Sequence, residues 1–171
     1  KPYYKPLLNV LTNIAKINRK VKNPPIVIIE STLAPKVSDK KIIPFFKKKK
    51  LTIGKNILLS VAPRRDWFIE GVKNLENLDR VYGSTDTKSA KVTKDVLSIV
   101  CKKLHLASSY KVSEMVKSVE NAYRHMDITL ANQLSVAFPK DNIREVLKLV
   151  GTKWNVETFH PGIGTGGYCI P

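Results

Sequence analysis

Ile26-Val27-Ile28-Ile29 is the stretch that most narrows what this chain can become. A run of consecutive β-branched, wholly apolar residues has no polar face to turn toward water, so it predicts a short parallel strand covered on both faces. Ile57-Leu58-Leu59-Ser60-Val61 repeats the pattern, and Arg80-Val81-Tyr82-Gly83 is a shorter strand candidate. The cover must come from helices. Leu7, Val10, Leu11, Ile14 and Ile17 recur at helical spacing, predicting an amphipathic helix from Pro6 to Asn18 with Pro6 in its first turn. A lysine-rich, partly helical segment is expected from Val37 to Lys50, interrupted at Pro44, and a further helix from Thr87 to Leu104 with Val96, Val100 and Leu104 on one stripe. Cys101, beside that stripe, reads as a small core residue and not a reactive thiol. Helix, strand, helix, strand, strand, helix is the alternation of a doubly wound α/β sheet.

Where β-strands end in such a sheet, ligands bind. The first strand runs into Glu30-Ser31-Thr32-Leu33-Ala34-Pro35, whose two hydroxyls are placed either to touch a ligand or to serve as an ordinary turn or helix cap.

The character changes after Tyr110. Ser113 to Phe138 predicts a long helix with Ser113 as N-cap, Glu114 in the first turn and Pro139 as terminator. Met115, Val119, Ala122, Met126 and Leu130 form its apolar stripe. At about 100° per residue, Lys117, Asn121 and Arg124 share a narrow arc on the opposite side. Such an arc is either a solvated face or, with an asparagine between two cations, an oxyanion or phosphate site. A shorter helix from Asn142 to Val150 packs Ile143, Val146, Leu147 and Val150, and Gly151 stops it.

The chain then reaches Gly162-Ile163-Gly164-Thr165-Gly166-Gly167-Tyr168-Cys169-Ile170-Pro171. So many glycines remove side-chain volume and admit positive φ, so a bulky ligand can lie against the backbone and end at Cys169. The formal GxGxxG from Gly162 to Gly167 lacks the strand before it and the helix after it that a dinucleotide fingerprint requires. Two cysteines make no disulfide framework and suit no zinc site, and no metal is expected. No run approaches the ~18 apolar residues of a membrane span, and a soluble, cytoplasmic protein is expected. The net charge of +16, densest at Lys47-Lys48-Lys49-Lys50, suits a solvated surface or an anionic sugar nucleotide as readily as nucleic acid. Neither interleaved aromatics nor a nucleic-acid motif accompanies it, so nucleic acid is not the expected partner.

Three motifs together resemble the UDP-glucose/GDP-mannose (nucleotide-sugar) dehydrogenases: Glu30-Ser31-Thr32-x-x-Pro35; Ser113-Glu114-Met115-x-Lys117-x-x-x-Asn121-x-x-Arg124 continuing to Ala131-Asn132; and the glycine run through Cys169-Ile170-Pro171. Glu120-Asn121-x-x-Arg124 and the Cys-Ile-Pro ending are more similar to the enzymes that oxidise UDP-N-acetylhexosamines, such as UDP-N-acetylmannosamine, than to those that oxidise UDP-glucose. The resemblance implies the second half of a Rossmann-type NAD-binding domain over residues 1–110 and the start of a helical central, dimerisation domain over 111–171. It implies oxidation of the sugar C6 alcohol to a carboxylate with NAD as cofactor, the second oxidation passing through a covalent adduct on Cys169. Lys117 would depress the thiol pKa and stabilise the oxyanion, and Asn121 would orient a water or the oxyanion. Arg124, Gly162, Gly164, Gly166 and Gly167 would bind the UDP-sugar, and Ser31 and Thr32 would meet the nicotinamide end of NAD. A homodimer through the central helix is implied. Three departures stand against the pattern. Arg64 replaces the family's acidic residue after Pro63, no aspartate follows Pro171, and neither the NAD phosphate loop nor the UDP-binding domain is present, as in an excerpt. The alternative expectation is an inactive truncated relative acting as a dimerisation or polyanion-binding module.

Overall fold

The computed structural model describes residues 3–18, 23–65 and 75–164. The chain divides into two compact units, Lys1–Ser118 and Val119–Pro171.

In the first unit, β1 (Ile26–Ile29), β2 (Leu58–Val61), β3 (Arg80–Ser84) and β4 (Leu104–Leu106) form a sheet in that spatial order. β1 runs parallel to β2 in the register Ile26 to Leu58, and β3 runs parallel to β4. β2 and β3 are antiparallel, Ser60 opposite Ser84, so the α/β sheet is mixed. Alternation along the strands supplies both faces. Val27, Ile29, Leu59 and Val61 join Leu11 and Ala15 of α1 (Lys5–Asn18) and Ile42 and Phe46 in one core, while Ile28, Ala62 and Tyr82 meet Leu97 of α3 (Thr87–Ser98) in another. The double cover predicted for Ile26–Ile29 is present.

Several local expectations need correction. In α1, Val10 and Ile17 are exposed and Leu11, Ala15 and Asn18 are buried, so the true inner stripe is rotated from the apolar one. Pro44 does not interrupt its helix. A π-helical stretch, Ser38–Ile42, passes directly into α2 (Ile43–Lys48), and Pro44 falls at its second residue, where a missing N–H costs little. α3 ends at Ser98 and not near Leu104, which belongs to β4. Its inner face is Ser89, Thr93 and Leu97, leaving Val96 and Val100 exposed. The buried hydroxyls are satisfied: Thr93 Oγ1 pairs with Ser60 Oγ at 2.6 Å, and Ser89 Oγ donates to Asp86 Oδ2 at 2.7 Å. Cys101 is a core residue, 3 % exposed.

Asp86 is the N-cap of α3, accepting from Ser89 N at 2.8 Å and from Thr85 Oγ1 at 2.9 Å. Burial raises its carboxyl pKa, but the Ser89 and Thr85 hydrogen bonds outweigh that and leave it below the ordinary value of 3.8. A depressed pKa contributes stability that is present above the unfolded value and lost as pH falls through the folded one. Asp86→Ala should therefore lower unfolding free energy by about 1 kcal/mol at neutral pH. That difference from wild type should shrink below pH 3.8, as measured by urea unfolding across pH.

The long α4 (Tyr110–Ala137) begins in the first unit, and Ser113 lies a turn inside it, so it is not the N-cap. In the second unit Ala131 of α4 packs with Ile143 and Leu147 of α5 (Ile143–Val150), supported by Leu134 and Phe159. Asn142 caps α5 by accepting from Glu145 N at 3.2 Å. Val146 and Val150, expected to pack, are exposed. Among the described residues no helix is long and apolar enough to cross a membrane.

Candidate active site

α4 carries two unlike faces, and burial reverses the usual assignment. The polar side is the one withdrawn from water: Ser113 and Glu114 are buried, and Lys117, Asn121 and Arg124 are half-buried. These last three lie within about 60° of one another, and Lys117 and Asn121 are separated by about 6 Å of helical rise. The apolar stripe of Met115, Val119, Ala122, Met126 and Leu130 faces out, with Met126 67 % exposed. An amphipathic pattern shows that two faces differ, not which of them finds a partner within the same unit.

Within the first unit, the start of this face is held by the carboxyl end of β2 and by the loop after β1. Ser113 Oγ donates to Val61 O at 2.7 Å, at the end of β2. Glu114 accepts from Val37 N at 2.8 Å and Ser38 N at 3.0 Å, one amide to each carboxylate oxygen. Ser118 Oγ donates to Leu33 O at 3.0 Å. The approach is close at Gly83, where an added Cβ would lie 2.3 Å from Ser109 O and 2.9 Å from Ser113 Cβ. At the start of α4, Asp39 joins the hydroxyl of Tyr110 and the ammonium of Lys111, which hold its carboxyl below the ordinary value. Burial, with Asp39 second, pushes the Tyr110 phenol up to about 12.

Ser31 and Thr32 are exposed just beyond β1, next to the Leu33 carbonyl that Ser118 holds. Arg80, buried, crosses the same edge: it pairs with Glu30 and donates to Ala62 O at 3.0 Å. Arg64, at the position expected to be acidic, donates its backbone N–H to Glu30 O at 3.0 Å. Two exposed hydroxyls thus stand just beyond the carboxyl end of a parallel strand, the place where open α/β sheets bind ligands and where two donors can meet a ribose or carboxamide.

In the second unit the glycine run is tied to α4. Asn132 Oδ1 accepts from Gly162 N at 2.8 Å, and Arg144 donates to Pro161 O at 2.8 Å. Gly164 has φ +77°, the left-handed region that favours glycine, and nothing lies within 4 Å of a Cβ built at Gly162 or Gly164. An open groove beside them is lined by Thr129, Asn132 and Ser135. Asn132 follows Asn121 by about three helical turns and so shares its side of α4. Gly166, Gly167 and Cys169 lie outside the described residues. Among those described, no group of three or more histidine, cysteine, aspartate or glutamate side chains could hold a metal.

Residues 111–171 match the UDP-glucose/GDP-mannose dehydrogenase family, central domain. Over those residues the chain belongs to that family. It is 34 % identical over 174 residues to Protein CapL of Staphylococcus aureus, a match covering 99 % of this chain and 40 % of that one. It is also 34 % identical over 160 residues to UDP-N-acetyl-D-mannosamine dehydrogenase of Methanocaldococcus jannaschii, covering 92 % and 36 %. Among solved structures it is similar to the UDP-D-ManNAc dehydrogenase of Pyrococcus horikoshii, with a TM-score of 0.88 and 27 % identity over 99 % of this chain and 40 % of that one. The chain thus spans about 40 % of the length of the first of these relatives. Within the nucleotide-sugar dehydrogenase motifs, the sequence reading missed the tasks of Ser113, Glu114, Ser118 and Asn132. Each anchors backbone distant in sequence, and no local pattern announces such a partner; for Asn132 the hint was its place on the Asn121 side of the helix.

Proposed function

We propose that this chain is part of an NAD-dependent nucleotide-sugar 6-dehydrogenase that oxidises the C6 alcohol of a UDP-N-acetylhexosamine, probed first with UDP-N-acetylmannosamine, to the uronic acid. The observation that carries the reading is the half-buried polar arc of α4, where Lys117 and Asn121 stand a turn apart on the helix whose Asn132 holds the first amide of the glycine run. The names of the similar proteins from Methanocaldococcus jannaschii and Pyrococcus horikoshii support the choice of sugar.

NAD bound here would supply the hydride acceptor for both oxidations at C6, and Ser31 and Thr32 would hold its nicotinamide end. After the first oxidation the Cys169 thiolate adds to the aldehyde carbon, forming a C–S bond and moving the carbonyl electron pair onto oxygen. The Lys117 ammonium stabilises that oxyanion and favours the thiolate beforehand, and Asn121 orients it. Loss of the second hydride leaves a thioester, and water cleaves the C–S bond to release the carboxylate and restore the thiol. Arg124 contacts the substrate, while Gly162, Gly164, Gly166 and Gly167 let the UDP-sugar lie against the backbone. The outward stripe of Met115, Val119, Met126 and Leu130 supports a homodimer through α4.

NAD reduction by the full-length protein, assayed with UDP-N-acetylmannosamine and UDP-glucose in parallel, tests the assignment. A preference of roughly tenfold or more in kcat/KM for the N-acetylated sugar is expected. A preference for UDP-glucose would reassign the substrate, and no NAD reduction with any nucleotide sugar would remove the function.

A further inference from the structure

The loop after β1 is fastened to α4 at two points. Ser118 donates to Leu33 O at 3.0 Å, and Glu114 takes Val37 N at 2.8 Å and Ser38 N at 3.0 Å. Between these fastenings Lys36 is held at φ 73°, a left-handed conformation unfavourable for a residue with a Cβ, which persists where surrounding contacts impose it. Glu114 is 2 % exposed, and among the described residues both its partners are backbone amides and not a cation. A carboxylate withdrawn from water is an expensive way to fill space, since a leucine would fill it without desolvating a charge. What the carboxylate adds is direction. Its two oxygens fix two consecutive amides at the start of the π-helical stretch, where the positive end of the aligned peptide dipoles also favours it.

The placement of these fastenings along both partners gives them a consequence for chemistry. Lys117 lies between Glu114 and Ser118 in sequence, and Thr32 immediately precedes Leu33. The side chains flanking the ammonium therefore set the register of the loop that carries the two exposed hydroxyls. All of these residues belong to the first unit.

We propose that Glu114 and Ser118 are positioning residues for the dehydrogenase reaction, holding the Ser31-Thr32 loop in the register that sets the nicotinamide end of NAD against Lys117. The inference rests on the dehydrogenase reading above. Its test uses Glu114→Gln and Ser118→Ala in the full-length protein, with two readouts. In steady-state kinetics, both variants should lower kcat by about tenfold or more, since small misplacements of reacting groups are costly, and should raise KM for NAD. KM for the nucleotide sugar should stay within roughly twofold. In hydrogen exchange, the amides of Val37 and Ser38 should exchange faster in Glu114→Gln without ligand. Protection of residues 31–36 on adding NAD should be present in wild type and weakened in both variants. A purely structural role would lower Tm and leave the split between the two KM values and the NAD-dependent protection untouched, which would overturn the proposal. If Glu114→Gln fails to fold, Ser118→Ala carries the same kinetic and NAD-protection test. An active wild type with unaffected variants sinks the positioning role alone, whereas a wild type that reduces no NAD with any nucleotide sugar removes the dehydrogenase reading and the positioning role with it.

Discussion

Lys117→Ala should lower kcat for acid formation by about 10²–10³-fold while leaving KM for the nucleotide sugar within a few-fold. The size follows from where the ammonium stands. Lys117 is half-buried on the inner face of α4, beside the buried Glu114 turn and one turn before Asn121. In a site closed around substrate, an oriented positive charge acts on the developing oxyanion with little screening. In the proposed reaction that interaction is made chiefly in the transition state, so the loss should appear in kcat. Lys117→Arg keeps the charge but replaces a compact point donor with a planar fork and should recover only part of the rate. An alanine variant retaining more than roughly a tenth of wild-type kcat would place the oxyanion's support elsewhere.

On the proposed covalent route, Cys169→Ala should reduce uronic-acid formation by about a thousandfold or more, because it would remove the atom that holds the aldehyde between the two oxidations. Cys169→Ser should do nearly as badly, a hydroxyl being a far poorer nucleophile than a thiolate at neutral pH. NADH should then be limited to what the first oxidation yields, measured as NADH formed per nucleotide sugar consumed. Normal acid formation by either variant would assign the second oxidation to an aldehyde hydrate and dissolve the role given to Cys169.

The strands of the first unit were legible because their sequences leave little choice. Ile26–Ile29 has no polar side and became a strand with a core on each face. β4 was not legible. It is Leu104-His105-Leu106, too short to show a period, and Ile99, Val100 and Leu104 extend an apparent helical repeat past the true end of α3 at Ser98. The inner face of α3 was not legible either, since Ser89 and Thr93 lie buried there by bonding to Asp86 and Ser60. For α4 the period was right and the assignment of its sides was open, because periodicity locates a stripe without naming its cover. The anchoring side chains were invisible for a different reason. Glu114 reaches amides at Val37 and Ser38, and Asn132 reaches Gly162, partners that only the folded chain brings near.

The most direct measurement is the ratio of NADH to uronic acid produced by the full-length protein from UDP-N-acetylmannosamine, with a hydrazide present in solution to capture any free aldehyde. The covalent route through Cys169 predicts about two NADH for each acid and no hydrazone, because the aldehyde carbon stays bonded to sulfur. About one NADH for each sugar consumed, with the hydrazone accumulating, would show that the aldehyde leaves the protein and would contradict the account.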